Sequence, residues 1–370
     1  MTSNQRLPAS LTPLDVALRA LLTDLATVVP IELPLAEALG CVTAEMPQLK
    51  ASPPCDIAIV DGWALRSHDL VGASSYSPVP LASSPAWVEA GDAMPEDCDC
   101  VVSADSVEEN GPLVQVLVGA IPGQGVRRAG GDIAVGSVVE AGRCIGPRDL
   151  SVARAAGLKK LNVRRPRLRI VNVPAASGGT MELIRETARA AGAEVFLDQA
   201  PSRDATAIAN TLDTNGCDLL VSIGGTGVGR TDAIVTALTQ RGTLIAHGLA
   251  LQPGRTAAMG RVGKTPLISL PGAPDQALAV WWTMALPVLD RLSGRKPRRK
   301  LSLPLARKVA SQVGIAEIAL LQRDSDLWTP LAVGDLPIEI IARADAWLLI
   351  SGGSEGFAVG MPVDAYMLGQ

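Results

Sequence analysis

"VSIGGTGVGRTD", Val221–Asp232, runs from an apolar strand through four glycines into the start of a helix. Strand, glycine-dense loop and helix in that order form the unit from which a sheet covered by helices is built. In such folds the loops at the carboxyl ends of the strands line the ligand crevice. Glycines there let backbone N–H groups approach a phosphate or oxyanion. The stretch therefore reads as an anion loop, with a merely tight strand-to-helix turn as the alternative. It is neither GxGxxG nor a phosphate loop ending in GK[ST], which disfavours a nucleoside triphosphatase.

Outward from this loop the alternation continues. "LRIVNV", "AEVFLD", "DLLVSIGG", "LIAHGLAL" and "TPLISL" read as strands, and "TMELIRETARAAG", "ATAIANTLDTNG", "TDAIVTALTQRG" and "DQALAVWWTMALPVLDRLSG" as helices. Such a repeat predicts a parallel sheet, doubly wound. "LTPLDVALRALLTDL" spaces its leucines and alanines as an amphipathic first helix, with Thr12 as its N-cap before Pro13. From Ile31 to about Ile145, short apolar runs broken by Pro, Gly, Ser and Asp predict a β-rich part. A short helix from Pro147 and a boundary near Pro166 follow. "GRKPRRK", Gly294–Lys300, reads as a solvated basic linker, and the remainder as a small β domain.

Composition narrows the possibilities. A chain of 370 residues, 48% hydrophobic and only 3% aromatic, builds several cores from Ala, Val, Leu and Ile. A formal net charge of −4 argues against nucleic acid as a partner, so any anion site must be local. Six cysteines without a CxxC pair, beside two histidines, make a zinc framework improbable and predict reduced, buried thiols in a cytoplasmic protein. The longest greasy run, Ala277 to Leu289, is too short to span a bilayer and reads as a buried helix.

Further stretches can carry chemistry. "LQPGRTAAMG" and "SLPGAPDQALAV" are Pro-Gly turns near the same strand ends, and Arg255 can bring charge to an anion there, although such turns are commonly structural. In "RRAGGDIAVG", Asp132 suits either Mg²⁺ or an ion pair with its neighbouring arginines. In "PPCDIAIVDGWALR", Pro53–Arg66, two prolines and Trp63 stiffen a loop bearing Asp61. That loop either presents a carboxylate or is a hairpin turned by Asp61-Gly62.

With "GDAMPEDCDCVV" and the tail "ARADAWLLISGGSEGFAVGMPVDAYML", these motifs occur in the order seen in the molybdopterin molybdotransferases, the molybdenum insertases that include the gephyrin E domain, and the chain resembles a divergent member. The resemblance implies a multidomain α/β and β fold. An N-terminal linking domain, 1–45, is completed by 146–165; a β-rich domain spans 46–145, a molybdopterin-binding α/β domain 166–297 and a C-terminal β domain 298–370. It further implies a homodimer, a possible molybdoenzyme client, and insertion of molybdate into adenylylated molybdopterin with Mg²⁺ and release of AMP.

Carried over position by position, Asp61, Asp132 and Asp232 match the family's catalytic acids, with Asp61 and Asp232 as the metal ligands. Gly224, Gly225, Thr226 and Gly229 fall in its glycine loop. Arg255 falls in its KPGKP turn, and Pro271, Gly272 and Pro274 in its LPGNP turn. Several positions depart from the pattern. The glutamate of the family's TGDEL motif has no counterpart in "IVNVPAASGGTMEL", Ala90 stands for a threonine, and Gly131 for an acid. Gly227 stands for a serine, Gln252 for a lysine and Ala273 for an asparagine. Three activities remain open on these residues: a working insertase, a pterin or cofactor carrier without the chemistry, and a structural partner. Glu182 is a candidate to replace the missing glutamate.

Overall fold

The structure, a computed structural model, describes residues 5–46, 48–110, 113–136, 139–174 and 179–368. At its centre lies a six-stranded sheet ordered Glu194–Gln199, Arg167–Asn172, Leu219–Ile223, Thr265–Leu270, Ala258–Val262, Thr243–His247. Leu168 and Ile170, with Leu219, Val221 and Ile223, face one core with the helix Gly179–Ala190 and the long helix after Pro274. Val171 and Leu220, one residue out of phase, face the opposite side beside Leu238. This period of two, apolar in both phases, is what burial on both faces requires. Each fully buried Leu or Ile adds about 1.5–3 kcal/mol. Where a hydroxyl enters the sheet it is satisfied: Ser222 and Ser269 sit in register on neighbouring strands, and Ser222 Oγ donates to Ser269 Oγ at 2.8 Å.

The expected parallel sheet is mixed. Ala258–Val262 runs antiparallel to both its neighbours because Val262 pairs Thr265 across a two-residue turn, in which Gly263 has φ 62°. So short a connection reverses the chain, whereas a parallel crossover needs a dozen or more residues.

The first helix, Leu14–Leu22, packs Ala17 and Leu21 into the central core. Thr12 does not cap it. Pro13 occupies the cap position, while the Thr12 N–H and C=O are spent on Gly248 O and Ala250 N at 3.0 and 2.9 Å. At the other end Arg261 Nη2 donates to the carbonyls of Leu21 and Thr23 at 2.8 and 2.7 Å, satisfying the helix's last acceptors from the sheet.

The Ala277–Leu289 run is helical and buried as expected, with one turn of π-helix at Trp281–Ala285. Pro287 cannot donate to the carbonyl four residues back and its ring crowds that carbonyl; the widened turn lies where this conflict falls.

Strands Ile31–Pro34, Lys160–Arg164 and Val42–Thr43 form one small sheet, over which Leu150 and Ala153 of the helix Pro147–Ala155 pack. Between these chain segments lie two three-stranded sheets and the pair Ile57–Ala58 with Val126–Arg127. The C-terminal sheet, built on Ala316–Asp324, pairs in parallel with Leu251–Gln252 and sends Ile318, Leu320 and Trp347 into the central core.

Asp61-Gly62 does not turn a hairpin. Gly62 is already inside the strand Gly62–Leu65, which pairs Ala86–Val88 and Cys100–Val102, while Ile57–Ala58 pairs Val126–Arg127. Glycine is required at 62 because a Cβ would lie 2.1 Å from the carbonyl oxygen of Val102. Trp63 fits its expected packing role, meeting Trp87 edge to face at 5.1 Å.

All six cysteines are free, but burial was expected of all and is found for Cys41, Cys100 and Cys217. Cys55 is exposed. Burial pushes the thiols of Cys41 and Cys100 up to about 11.

Two outcomes follow. Gly62→Ala should destabilise the protein by about 1–3 kcal/mol by overpacking against backbone. Gly179→Ala, with open space around its Cβ, should change stability by less than about 0.5 kcal/mol; thermal melts of the two check this. In a disulfide-exchange titration at pH 8 the native protein should show one fast thiol, abolished in Cys55→Ser, with Cys41 and Cys100 reacting only after unfolding.

Candidate functional site

Three parallel strands end at one place. Val173 follows Arg167–Asn172, Gly224 follows Leu219–Ile223, and Pro271 follows Thr265–Leu270. A Cβ on Gly224 would lie 3.3 Å from Val173 O, and one on Gly272 would lie 3.7 Å from Gly224 Cα. The Pro271-Gly272 turn therefore rests against the glycine loop, and Thr180 Oγ1 ties it down by donating to Gly272 O at 2.7 Å. Pro274 opens the helix Pro274–Val280, where its missing N–H is not needed.

The loop is held from several sides. Gly224 and Gly225 both take positive φ, 89° and 72°, and Gly224 N donates to Leu270 O at 2.9 Å. His247 Nε2 donates to Thr226 O at 3.0 Å, which places the ring proton on that nitrogen when the imidazole is neutral. Thr226 Oγ1 lies 3.3 Å from Thr256 Oγ1, so the turn carrying the exposed Arg255 sits beside the loop. Gln5 Nε2 donates to Gly227 O at 2.6 Å, while Gln5 Oε1 accepts from Val235 N at 3.1 Å. The amides of Gly225, Thr226 and Gly227 have no acceptor among the described residues, although Gly225 and Thr226 are buried. Buried N–H groups are almost always paired, so consecutive unpaired ones mark a place for an anion.

Asp232 closes the loop from within. Its Oδ1 accepts from Arg203 Nη2 at 2.9 Å and its Oδ2 from Gly229 N at 2.8 Å. Cβ atoms at Gly227 and Gly229 would lie 2.6 and 2.9 Å from that Oδ2, so both glycines make room for the carboxylate. The Gly229 amide, expected to face a ligand, is thus engaged by the chain's own acid. Arg203 also donates to Pro174 O at 2.9 Å, joining two strand ends.

Asp61 and Asp132 lie in the β-rich part. Asp61 is exposed and its Oδ1 accepts from Ala90 N at 2.8 Å. Asp132 forms an ion pair with Arg127. Asp56, not singled out by sequence, accepts from Ala129 N at 2.8 Å and holds the Arg127–Gly131 turn against the Asp61 loop. No hydrogen bond or ion pair joins these acids to Asp232 among the described residues, and no group of three or more His, Cys, Asp or Glu there can hold a metal ion. Asp61 is thus held in the β-rich part by Ala90 N, and Asp232 in the glycine loop by Arg203 and Gly229 N.

Among the substituted positions, Gln252 donates through Nε2 to Gly334 O at 3.1 Å. Glu182 pairs with Arg185 on its own helix. Residues 175–178, within the stretch where the TGDEL glutamate has no counterpart, lie outside the described residues. Sequence reasoning missed Arg203 and Gln5. Arg203 follows the strand Glu194–Gln199, and its place at the same edge of the sheet was its only signal; Gln5 had none.

Comparison with known proteins agrees with this architecture. Residues 12–157 match the MoeA N-terminal region (domain I and II), and residues 179–291 match a probable molybdopterin binding domain; together the two matches span well over half of the chain. A putative molybdopterin biosynthesis protein of Methanocaldococcus jannaschii is 26% identical, covering 91% of this chain and 92% of its own. Molybdopterin molybdenumtransferase 1 of Mycobacterium tuberculosis is 26% identical, over 92% of this chain and 95% of the relative. The crystal structure of the molybdopterin biosynthesis MoeA protein of Pyrococcus horikoshii superposes with a TM-score of 0.70 at 25% identity, covering 97% of this chain and 99% of that one. With two successive MoeA-type regions in one chain and a full-length structural counterpart, the protein belongs to the MoeA family.

Proposed function

We propose that the protein is a molybdopterin molybdotransferase of molybdenum cofactor biosynthesis, acting on adenylylated molybdopterin and molybdate and releasing AMP. The observation that carries this is the row of unpaired amides at Gly225, Thr226 and Gly227, beside Arg255 and the Pro271-Gly272 turn, where three parallel strands end. Fixed N–H dipoles in a buried loop bind an oxyanion without reorganising, and Arg255 adds the positive charge that the Gln252 position no longer supplies. The chain's own steps are to hold the pterin phosphate on these amides, to fix the loop's shape by the Arg203–Asp232 pair, and to neutralise charge with Arg255. Water then cleaves the phosphoanhydride, and AMP departs with its phosphate.

Mg²⁺ and the homodimer belong to the same proposal. Asp61 and Asp232 are the carboxylates that would hold the cation, which would neutralise charge on the substrate phosphate. In our assignment the β-rich part of one copy, with Asp61 and Asp132, faces the glycine loop of another. The four-part division at 45, 145, 165 and 297 belongs here too, supported by the separate small sheets and by the pairing of residues 31–34 and 42–43 with 160–164. No helix among the described residues is long and apolar enough to cross a membrane.

Purified protein given adenylylated molybdopterin, molybdate and Mg²⁺ should release AMP. A wild-type rate at background and equal to that of Asp61→Ala overturns the enzymatic assignment, and tight pterin retention without turnover establishes a carrier in its place. Arg255→Ala should weaken pterin binding by about tenfold or more, as expected for one charge-assisted hydrogen bond. Mixing Asp61→Ala with Arg255→Ala should raise the rate above that of either variant alone, towards about a quarter of the wild-type rate, because half of the reassorted dimers carry one intact shared site. No recovery after reassortment means that the two residues serve the same subunit.

A further inference from the structure

The segment ahead of the first helix lies against the central sheet, and its path leads to the glycine loop. Thr12 pairs with the backbone at Gly248 and Ala250, and the side chains of Leu7, Pro8 and Leu11 close over Gly248. A Cβ at Gly248 would lie 3.1 Å from the Cδ2 atoms of both leucines and 3.2 Å from Pro8 Cδ. Gly248 directly follows His247, whose ring holds Thr226 O. Seated in this way, residues 7–12 bring Gln5 to a loop that lies 220 residues along the chain. Its Nε2 donates to Gly227 O at 2.6 Å and to Gly225 O at 3.3 Å, while Oε1 accepts from Val235 N at 3.1 Å. Two acceptors and one donor surround the carboxamide, so only one of its two flipped orientations satisfies all three.

Both ends of that carboxamide meet groups that the local chain leaves without a side-chain partner. Val235 is the second residue of the helix Ile234–Arg241, and the cap position is Ala233, which has no side-chain acceptor. The Val235 N–H is thus one of the helix's orphan donors, and Gln5 Oε1 caps it from outside. The Nε2 end acts on the loop. A trans peptide is planar and carries its N–H opposite its C=O, so a held carbonyl sets the direction of the next residue's N–H. Gly225 O is held by Gln5 and by Ile234 N, which sets Thr226 N–H; Thr226 O is held by His247, which sets Gly227 N–H. Gly227 O is held, among the described residues, by Gln5 alone, which sets Val228 N–H. None of these three amides has an acceptor among the described residues. Glycine at 225 and 227 lets these peptide planes rotate freely, so hydrogen bonds to the carbonyls decide where the amides point.

We infer that Gln5 is a positioning residue of the anion loop, and that residues 5–12 are a strap that holds the loop's carbonyls so that its N–H groups are aimed before an anion arrives. This deepens the molybdotransferase reading and takes its anion, the pterin phosphate, from that reading. Gln5 touches neither the phosphate nor the reacting bond and acts through the peptide planes. With the strap cut, the anion itself must order the loop, so substrate binds more weakly in the ground state and the transition state alike, and the chemical step is left as it was.

Kinetics and amide exchange on the full chain test this. Gln5→Ala should raise the KM for adenylylated molybdopterin about three- to tenfold, as expected for one or two neutral hydrogen bonds, with kcat within about twofold of wild type. Gln5→Met, of similar length but without donor or acceptor, should do the same. Gln240→Ala, exposed on the same helix, should leave both constants unchanged. In ¹⁵N-labelled protein the Val235 amide should exchange with solvent about tenfold or more faster in both Gln5 variants than in wild type. A wild-type KM in Gln5→Ala overturns the inference. So does a wild-type KM in Gln5→Met, because side-chain packing then suffices, or a loss confined to kcat. If the wild type releases no AMP, the molybdotransferase reading falls and exchange judges the strap by itself: equal Val235 protection in wild type and Gln5→Ala overturns it, and faster exchange in the variant sustains it.

Discussion

Burial of Arg167–Asn172, Leu219–Ile223 and Thr265–Leu270 on both faces is the constraint from which the rest follows. Strands packed apolar on each side cannot slip by one residue without carrying a hydrophobic set into the wrong core. Their ends are therefore fixed relative to one another to within a side chain's width, and Val173, Gly224 and Gly272 meet because of it. The Ser222–Ser269 hydrogen bond, buried at the centre of the same strands, adds a register mark that an all-apolar pair lacks.

The glycine loop built on those ends contains two kinds of glycine. Gly224 and Gly225 supply the positive φ that precedes the unpaired amides of Gly225, Thr226 and Gly227, whereas Gly227 and Gly229 also clear space for Asp232. An acid that matches the family's catalytic set thus also acts as the loop's internal counter-charge, clamped by Arg203. The substitution of serine by Gly227 is consistent with this clamp, since any Cβ there would collide with the carboxylate in its present position. The cation balance has changed too: the Gln252 side chain braces the C-terminal sheet through Gly334, leaving Arg255 as the charge beside the crevice.

The C-terminal sheet is more than an appendage, because its parallel pairing with Leu251–Gln252 and the entry of Trp347 into the central core make one continuous packed body. An aromatic junction lies on this seam. Of the chain's few aromatic residues, three indoles and a phenol gather there, and the basic stretch that leaves the preceding helix lies alongside.

Elements whose cause is local were legible along the chain. Periods of two and 3.6 gave the alternating α/β unit, the buried helix after Pro274 and the β-rich middle, and motif order gave the family. The Gly263–Lys264 turn is local as well, and the expectation of a parallel sheet left out the reversal it imposes. Tertiary structure decided what depends on distant partners. Thr12 lost its capping role to a backbone ladder with residues 248–250, and Gly62 belongs to a strand because a carbonyl forty residues away approaches it. Arg203 and Gln5 acquire meaning only through neighbours that are remote in the chain, since hydrogen-bond satisfaction is a property of the folded surroundings and not of a residue's sequence window.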